Sequence, residues 1–265
     1  MLHDKVVAIT GAGRGLGRAY AISVAAAGAK VLLNDVVGAS GVVEEIRRAG
    51  GAAAALDLEI GTPAAGEQLI DACVDTFGRI DGLINNAGLC HLKLSWEENP
   101  DDAERIIRVN LFGTIHCAVA AMKRMRLAGS GVIINIGSGA MLGMAEMSAY
   151  GCSKAAVLNL TVTWAKELEG TGVRVHAISP TARTPMNLAS APQYFLEHGP
   201  ELVAPLAVFL LSDRAAPLNG KMIRLDRGRL SFFEPGNYGP VLGESLNWTN
   251  DALEAALMPG ASIRP

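Results

Sequence analysis

Short apolar, β-branched runs alternate with longer Ala/Leu-rich amphipathic stretches along almost the whole chain. The short runs are "VVAIT" (6–10), "KVLLND" (30–35), "AAALD" (53–57), "DGLINN" (81–86), "GVIINIG" (131–137), "VRVHAIS" (173–179) and "KMIRLD" (221–226). Most are hydrophobic throughout rather than at every second position, which is the pattern of strands buried on both faces. The longer stretches at 15–27, 39–49, 63–77, 101–127, 148–169 and 200–212 read as helices. Strand–helix alternation of this kind predicts an α/β fold with a doubly wound, mostly parallel sheet of seven strands and helices on both faces.

Composition narrows what such a fold can do. Half of the 265 residues are hydrophobic, 18% are charged and 30 are glycine, a balance typical of a compact enzyme with tight turns. The net charge of −3 and the lack of a Lys/Arg cluster argue against a nucleic-acid partner. Cys73, Cys90, Cys117 and Cys152 show no metal-ligand spacing, so no metal is expected, and they read as thiols of a reducing compartment. The N-terminus lacks the pattern of a signal peptide, and no apolar run is expected to reach the roughly 18 residues of a bilayer span. A cytoplasmic location with no membrane partner follows as the expectation. No linker or repeat precedes residue 230, so 1–265 reads as a single domain. A tail from about 231 carries Phe232, Phe233 and Trp248, expected to pack on that domain or on a neighbouring subunit.

The first strand runs into "TGAGRGLGRAYA", which spaces Gly11, Gly15 and Gly17 as G-x-x-x-G-x-G before a helix. Glycine lets the backbone turn sharply and approach a pyrophosphate, whose charge then sits at the positive end of the helix. Asp35 ends the second strand about 20 residues beyond the loop, where a carboxylate accepts ribose hydroxyls in a Rossmann-type fold. A 2′-phosphate about 4–5 Å from that carboxylate would be opposed by roughly several kcal/mol at an effective dielectric near 20. Arg14 could partly offset this, but the carboxylate would occupy the phosphate's own position. NAD is therefore expected rather than NADP.

Later in the chain, "SAYGCSKAAV" places Tyr150 and Lys154 four residues apart, on one face of a helix. That spacing alone also occurs on ordinary helix surfaces. Together with "TGAGRGLG" (10–17), "NNAG" (85–88), Asn110 in "RVNLFGT" and Ser138 in "INIGSGA", it makes the chain resemble the short-chain dehydrogenase/reductase family over nearly its whole length. "VLLNDVVG", "SPTARTPM" and "PELVAPLAVFLLSDRAAPLNGKMIRLDRGRLSFFE" resemble, within it, the (3R)-hydroxyacyl-CoA dehydrogenase group. The resemblance implies a catalytic set of Asn110, Ser138, Tyr150 and Lys154. Tyr150 would be the general acid/base, Ser138 would hold the substrate oxygen, and Asn110 would anchor a water leading from Lys154. A free tyrosine ionises near pH 10, so working at pH 7 needs about 4 kcal/mol of help, which Lys154 and an oxidised nicotinamide could supply.

The same resemblance implies cofactor contacts from Gly11, Arg14, Gly15, Leu16 and Gly17 of the loop, and from Asp35, Asp57 and Leu58 around the adenosine. It also implies contacts from Asn86, Ala87 and Gly88, from Tyr150 and Lys154, and from Pro180 and Thr184 at the nicotinamide. The implied activity is NAD(H)-dependent interconversion of a secondary alcohol and a ketone, a small-molecule reaction in a homodimer or homotetramer paired through 101–127 and 148–169. Met141, Met144 and Met147 lie between Ser138 and Tyr150, where they either border the substrate or simply pack. Cys90 and His91 stand in the same position after "NNAG". Tyr194, Phe195 and Leu196 in 187–200 fit a lid over an apolar, lipid-, steroid- or acyl-thioester-like substrate. The alternative from another class is a catalytically silent dinucleotide sensor, whose expected signature is loss of Tyr150 or Lys154.

Overall fold

Val6–Thr10 (β1) is buried at every position and lies inside an eight-stranded sheet of order β3-β2-β1-β4-β5-β6-β7-β8 in a computed structural model. The structure describes residues 1–186 and 198–233, with Thr249, Leu253 and Leu257 besides. The other parallel strands are Lys30–Asp35 (β2), Ala52–Asp57 (β3), Gly82–Asn85 (β4), Gly131–Ile136 (β5), Val173–Thr181 (β6) and Met222–Asp226 (β7). Arg229–Phe233 (β8) pairs antiparallel with β7. The α/β, doubly wound class is as expected; the strand count of seven is corrected to eight.

The eighth strand belongs to a hairpin whose two-residue turn is Arg227–Gly228, at φ +49 and +78. Two positive φ values match the twist of paired strands, so the turn closes tightly. Four of the five β8 residues are exposed, which left no hydrophobic signal to mark it. Phe232 and Phe233 thus lie in the sheet rather than in a tail. Residues 234–265 form a second unit, in which Trp248 and the expected tail packing lie outside the described residues.

Helices Gly15–Ala26 (α1), Ser40–Arg48 (α2) and Ala204–Leu211 (α7) cover one face; Pro63–Phe77 (α3), Gly113–Ala128 (α5) and Ser148–Glu167 (α6) cover the other. Strand periodicity divides the core between them. Val7 and Ile9 join Tyr20, Val24, Ile46 and Leu210 on the first face. Val6 and Ala8 join Leu69, Ile70, Cys117, Met125 and Trp164 on the second. Local chemistry places the helix ends: Thr62 accepts from the Ala65 amide at 3.2 Å ahead of Pro63, and Gly78 (φ +84) closes α3.

The helix expected over 101–127 is interrupted. Pro100–Ile107 (α4) leads into a π-helical turn, Arg108–Phe112, before α5 begins. The Thr114 hydroxyl donates to the Asn110 carbonyl at 2.8 Å inside this turn, and Gly113 packs so closely that a Cβ would lie 2.7 Å from Ile60 Cδ1. Single π turns recur at functional sites. One 18-residue window within Pro100–Ala128 reaches the mean hydropathy, 1.2, of a weak membrane span, contrary to the expectation of no such run; half of that window is buried inside the fold, as in a core helix.

Candidate active site

The strand order reverses between β1 and β4, and there the C-terminal strand ends border a cavity of about 560 Å³. The glycine loop builds one end. Gly11 turns off β1 at φ +63, and a Cβ on it would stand 2.8 Å from Ala87 Cα. Gly17 is tighter still: a Cβ would lie 2.0 Å from the Gly11 carbonyl oxygen, so only glycine lets α1 approach its own loop. Asn86 clamps the loop from β4, its Nδ2 donating to the carbonyls of Thr10 and Gly11 at 2.9 Å each. The Thr10 hydroxyl accepts from the amides of Asn86 and Ala87 at 3.0 Å each. No side chain caps α1, so its first amides remain free to meet an anion.

Asp35 is held by the same loop. Its carboxylate accepts from the Gly13 amide at 2.8 Å and the Val37 amide at 3.2 Å, and it lines the cavity beside Arg14, Leu16 and Leu58. Gly11 and Gly15 line it too, whereas Gly17 acts from behind. Asp57 is exposed and outside the lining, its carboxylate facing Gly38.

The other end gathers residues from β5, α6 and β6. Ser138, Tyr150 and Lys154 line the cavity together with Gly88, Pro180 and Thr184. Lys154 is buried, and its Nζ donates to the Ile136 carbonyl at 2.7 Å and lies 5.7 Å from the centre of the Tyr150 ring. An ammonium has three donors; the two not used for Ile136 meet no hydrogen-bond acceptor among the described residues. Burial lowers the lysine's pKa to about 8, which still leaves it mostly charged at neutral pH. Tyr150 is half-buried, and desolvation pushes its phenol up to about 12, with the Ser138 hydroxyl acting in the opposite direction. Desolvation therefore outweighs any help from the neighbouring ammonium in the protein on its own. The ionisation cost from the sequence, worked from a free tyrosine, was too small.

Asn110 is fully buried in the π turn and does not reach the cavity. Its Oδ1 accepts from the Leu89 amide at 2.7 Å, and its Nδ2 donates to the Leu89 carbonyl at 2.9 Å and to Ser153 Oγ at 3.2 Å. The side chain thus braces the loop after β4 against α6, and Gly88 fits between this brace and Lys154. Met144, Met147 and Cys90 line the cavity, but Met141 does not, and His91 pairs with Glu98. Tyr194, Phe195 and Leu196 lie outside the described residues. Sequence reasoning missed Ile60, Arg105 and Val109 toward the Leu58 end and Ala140 and Arg224 near Ser138. Only Arg224 carried a signal: it is a charge set between the apolar Ile223 and Leu225 of β7.

These residues fit a nicotinamide dinucleotide, with an uncapped helix start for the pyrophosphate, a carboxylate at one end and an ammonium with spare donors at the other. Residues 5–194 match the family model described as short chain dehydrogenase. The chain is 38% identical over 244 residues to a 3-oxoacyl-[acyl-carrier-protein] reductase of Synechocystis sp., covering 87% of this chain and 99% of that protein. It is 35% identical to peroxisomal multifunctional enzyme type 2 of Mus musculus, over 84% of this chain but 32% of that longer one. A crystal structure of a short chain dehydrogenase from Mycobacterium avium superposes with a TM-score of 0.89 at 34% identity, covering 97% of this chain and 94% of that one. The chain belongs to the short chain dehydrogenase family, whose members are oxidoreductases that use nicotinamide dinucleotides. Nothing favours a silent dinucleotide sensor, since Tyr150 and Lys154 are both present.

Proposed function

We propose that this protein is an NAD(H)-dependent oxidoreductase that interconverts a secondary alcohol and a ketone on an apolar substrate. The observation that carries the reading is the meeting of Ser138, Tyr150 and Lys154 at one end of a cavity whose other end holds Asp35. The bound nicotinamide supplies hydride acceptance or donation, and every proton is handled by this chain. Ser138 and Tyr150 hold the substrate oxygen between a hydroxyl and a phenol. In ketone reduction the neutral phenol gives its proton to that oxygen, and a phenol at about 12 is already in the required form at pH 7.

In alcohol oxidation the same phenol must first ionise. Lowering it from about 12 to about 7 takes roughly 7 kcal/mol. The value of about 12 already includes Lys154, so the positive charge of a bound oxidised nicotinamide ring would have to supply the difference. The spare donors of Lys154 would hold the ribose of a bound cofactor, which would tie proton chemistry to cofactor binding. Asn110 keeps α6 and the loop after β4 in register, so that Lys154 stays beneath Tyr150.

Asp35 supports NAD over NADP, since the exposed residues after it, Val36 and Val37, offer no cation to a 2′-phosphate. Met144 and Met147 support an apolar substrate, because thioethers mould to irregular apolar surfaces. Assembly through α5 and its neighbours is supported by Phe112 and Val119, exposed seven residues apart on one helical side. Cysteines that form no disulfide among the described residues support a reducing, cytoplasmic setting. The test is Tyr150→Phe assayed on a panel of secondary alcohols: turnover is expected to fall at least about 1,000-fold while NADH still binds. Retained turnover would refute the assignment.

A further inference from the structure

Arg224 stands on β7, and its guanidinium lines the cavity at the Ser138 end. Two contacts fix it there. Its Nη2 donates to Asp226 Oδ2 at 3.1 Å, and its Nη1 lies 2.9 Å from where a Cβ on Gly139 would be. Gly139 follows Ser138 directly, so the absent side chain is what lets the guanidinium lie beside the predicted position of the reacting oxygen. Nη1 has no hydrogen-bond acceptor among the described residues.

The charge around it does not balance. Asp226 is shared: Arg227 Nε reaches its other oxygen at 3.4 Å, and Thr181 hydrogen-bonds to it as well. One carboxylate therefore faces two guanidinium groups, leaving one positive charge in excess. Elsewhere at this end the charged lining residue is Lys154, another cation, while the cavity's carboxylates, Asp35 and Glu59, line it beside Arg14 and Leu58. The surrounding wall is Ala140, Met144 and Met147. An arginine held by a carboxylate on one side and open on the other, set in an apolar wall, suits a planar anion that can accept from its free N–H groups.

We propose that Arg224 is a specificity-determining residue and that the substrate carries a carboxylate on an apolar ring or short chain beside its reacting alcohol or ketone. The proposal rests on the redox reading of this cavity and narrows its substrate class. A charge-assisted hydrogen bond in such a setting separates a carboxylate from its neutral amide by at least about tenfold in affinity.

The experiment is calorimetric binding of cyclohexanecarboxylate and cyclohexanecarboxamide to the NADH-loaded full chain, repeated with Arg224→Gln and Arg224→Lys. The carboxylate is expected to bind the native protein at least about tenfold tighter than the amide. Arg224→Gln should abolish that preference without changing NADH affinity, and Arg224→Lys should keep part of it by keeping the charge. A native protein with no preference, a glutamine variant that retains it, or a lysine variant without it overturns the proposal. Reduction of plain cyclohexanone by the bound NADH, measured on the same samples, reports separately on the redox reading, because that substrate makes no demand on Arg224.

Discussion

Replacing Asp35 by asparagine tests how this fold chooses its cofactor. The carboxylate accepts one backbone amide on each oxygen, from Gly13 and from Val37, so its position is set by the loop itself. A unit charge about 4.5 Å from a 2′-phosphate costs roughly 3–4 kcal/mol at an effective dielectric near 20. The cavity rim is open to solvent and salt, which reduces this to a discrimination of roughly 30- to 300-fold in Kd. Asparagine keeps the shape and removes the charge, but it has one oxygen where two amides need acceptors. NADH affinity should therefore fall by about tenfold, from one lost hydrogen bond at the loop. NADPH affinity should hold or rise, so that the ratio of the two constants shifts toward NADPH by the full 30- to 300-fold. Calorimetry with both reduced cofactors measures this without any knowledge of the substrate. Adding Arg14→Ala to the variant should remove the gain, since Arg14 is the lining cation nearest in sequence to the loop amides. A ratio that stays within about threefold of the native value would refute the electrostatic argument, because a charge removed at this distance cannot leave selectivity unmoved.

Other consequences follow from burial and close contact. Gly17→Ala would place a Cβ 2.0 Å from a backbone oxygen, so α1 must shift; a clear drop in Tm and a loss of NADH binding of at least about 100-fold are expected, read by thermal melting and calorimetry. Lys154 titrates near 8 in the folded protein and near 10.5 when unfolded, so between those values the unfolded chain binds more protons. The cofactor-free protein should therefore gain stability as pH rises from 8 to 10.5, by about 3 kcal/mol relative to Lys154→Met, and urea melts at several pH values check it. Parallel pH profiles for the two proteins would contradict the buried-charge assignment.

The parts of this fold that the sequence made readable are those in which one physical requirement acts on neighbouring residues. β1 and β5 are buried on both faces, so their hydrophobic runs marked them directly. The glycine loop was readable because backbone contact at Gly11 and Gly17 excludes any side chain. β8 was not, since an exposed edge strand has no burial pattern and its signal is confined to the Arg227–Gly228 turn. The π turn at Asn110 was hidden for a different reason: the partners of its side chain, Leu89 and Ser153, come from two distant segments. The pairing of Tyr150 with Lys154 followed from helical spacing, but the direction of the phenol's shift did not. It depends on how deeply the cavity desolvates the ring, a quantity set by the whole fold.

The central claim is that charge brought by the lysine and the oxidised cofactor turns a weakly acidic buried phenol into a base. An ultraviolet difference titration of native protein against Tyr150→Phe isolates that one phenol, first without cofactor and then with saturating NAD. The account predicts ionisation near 12 in the free protein and a fall of several pH units once NAD is bound. A phenol that titrates at the same pH in both states would contradict it.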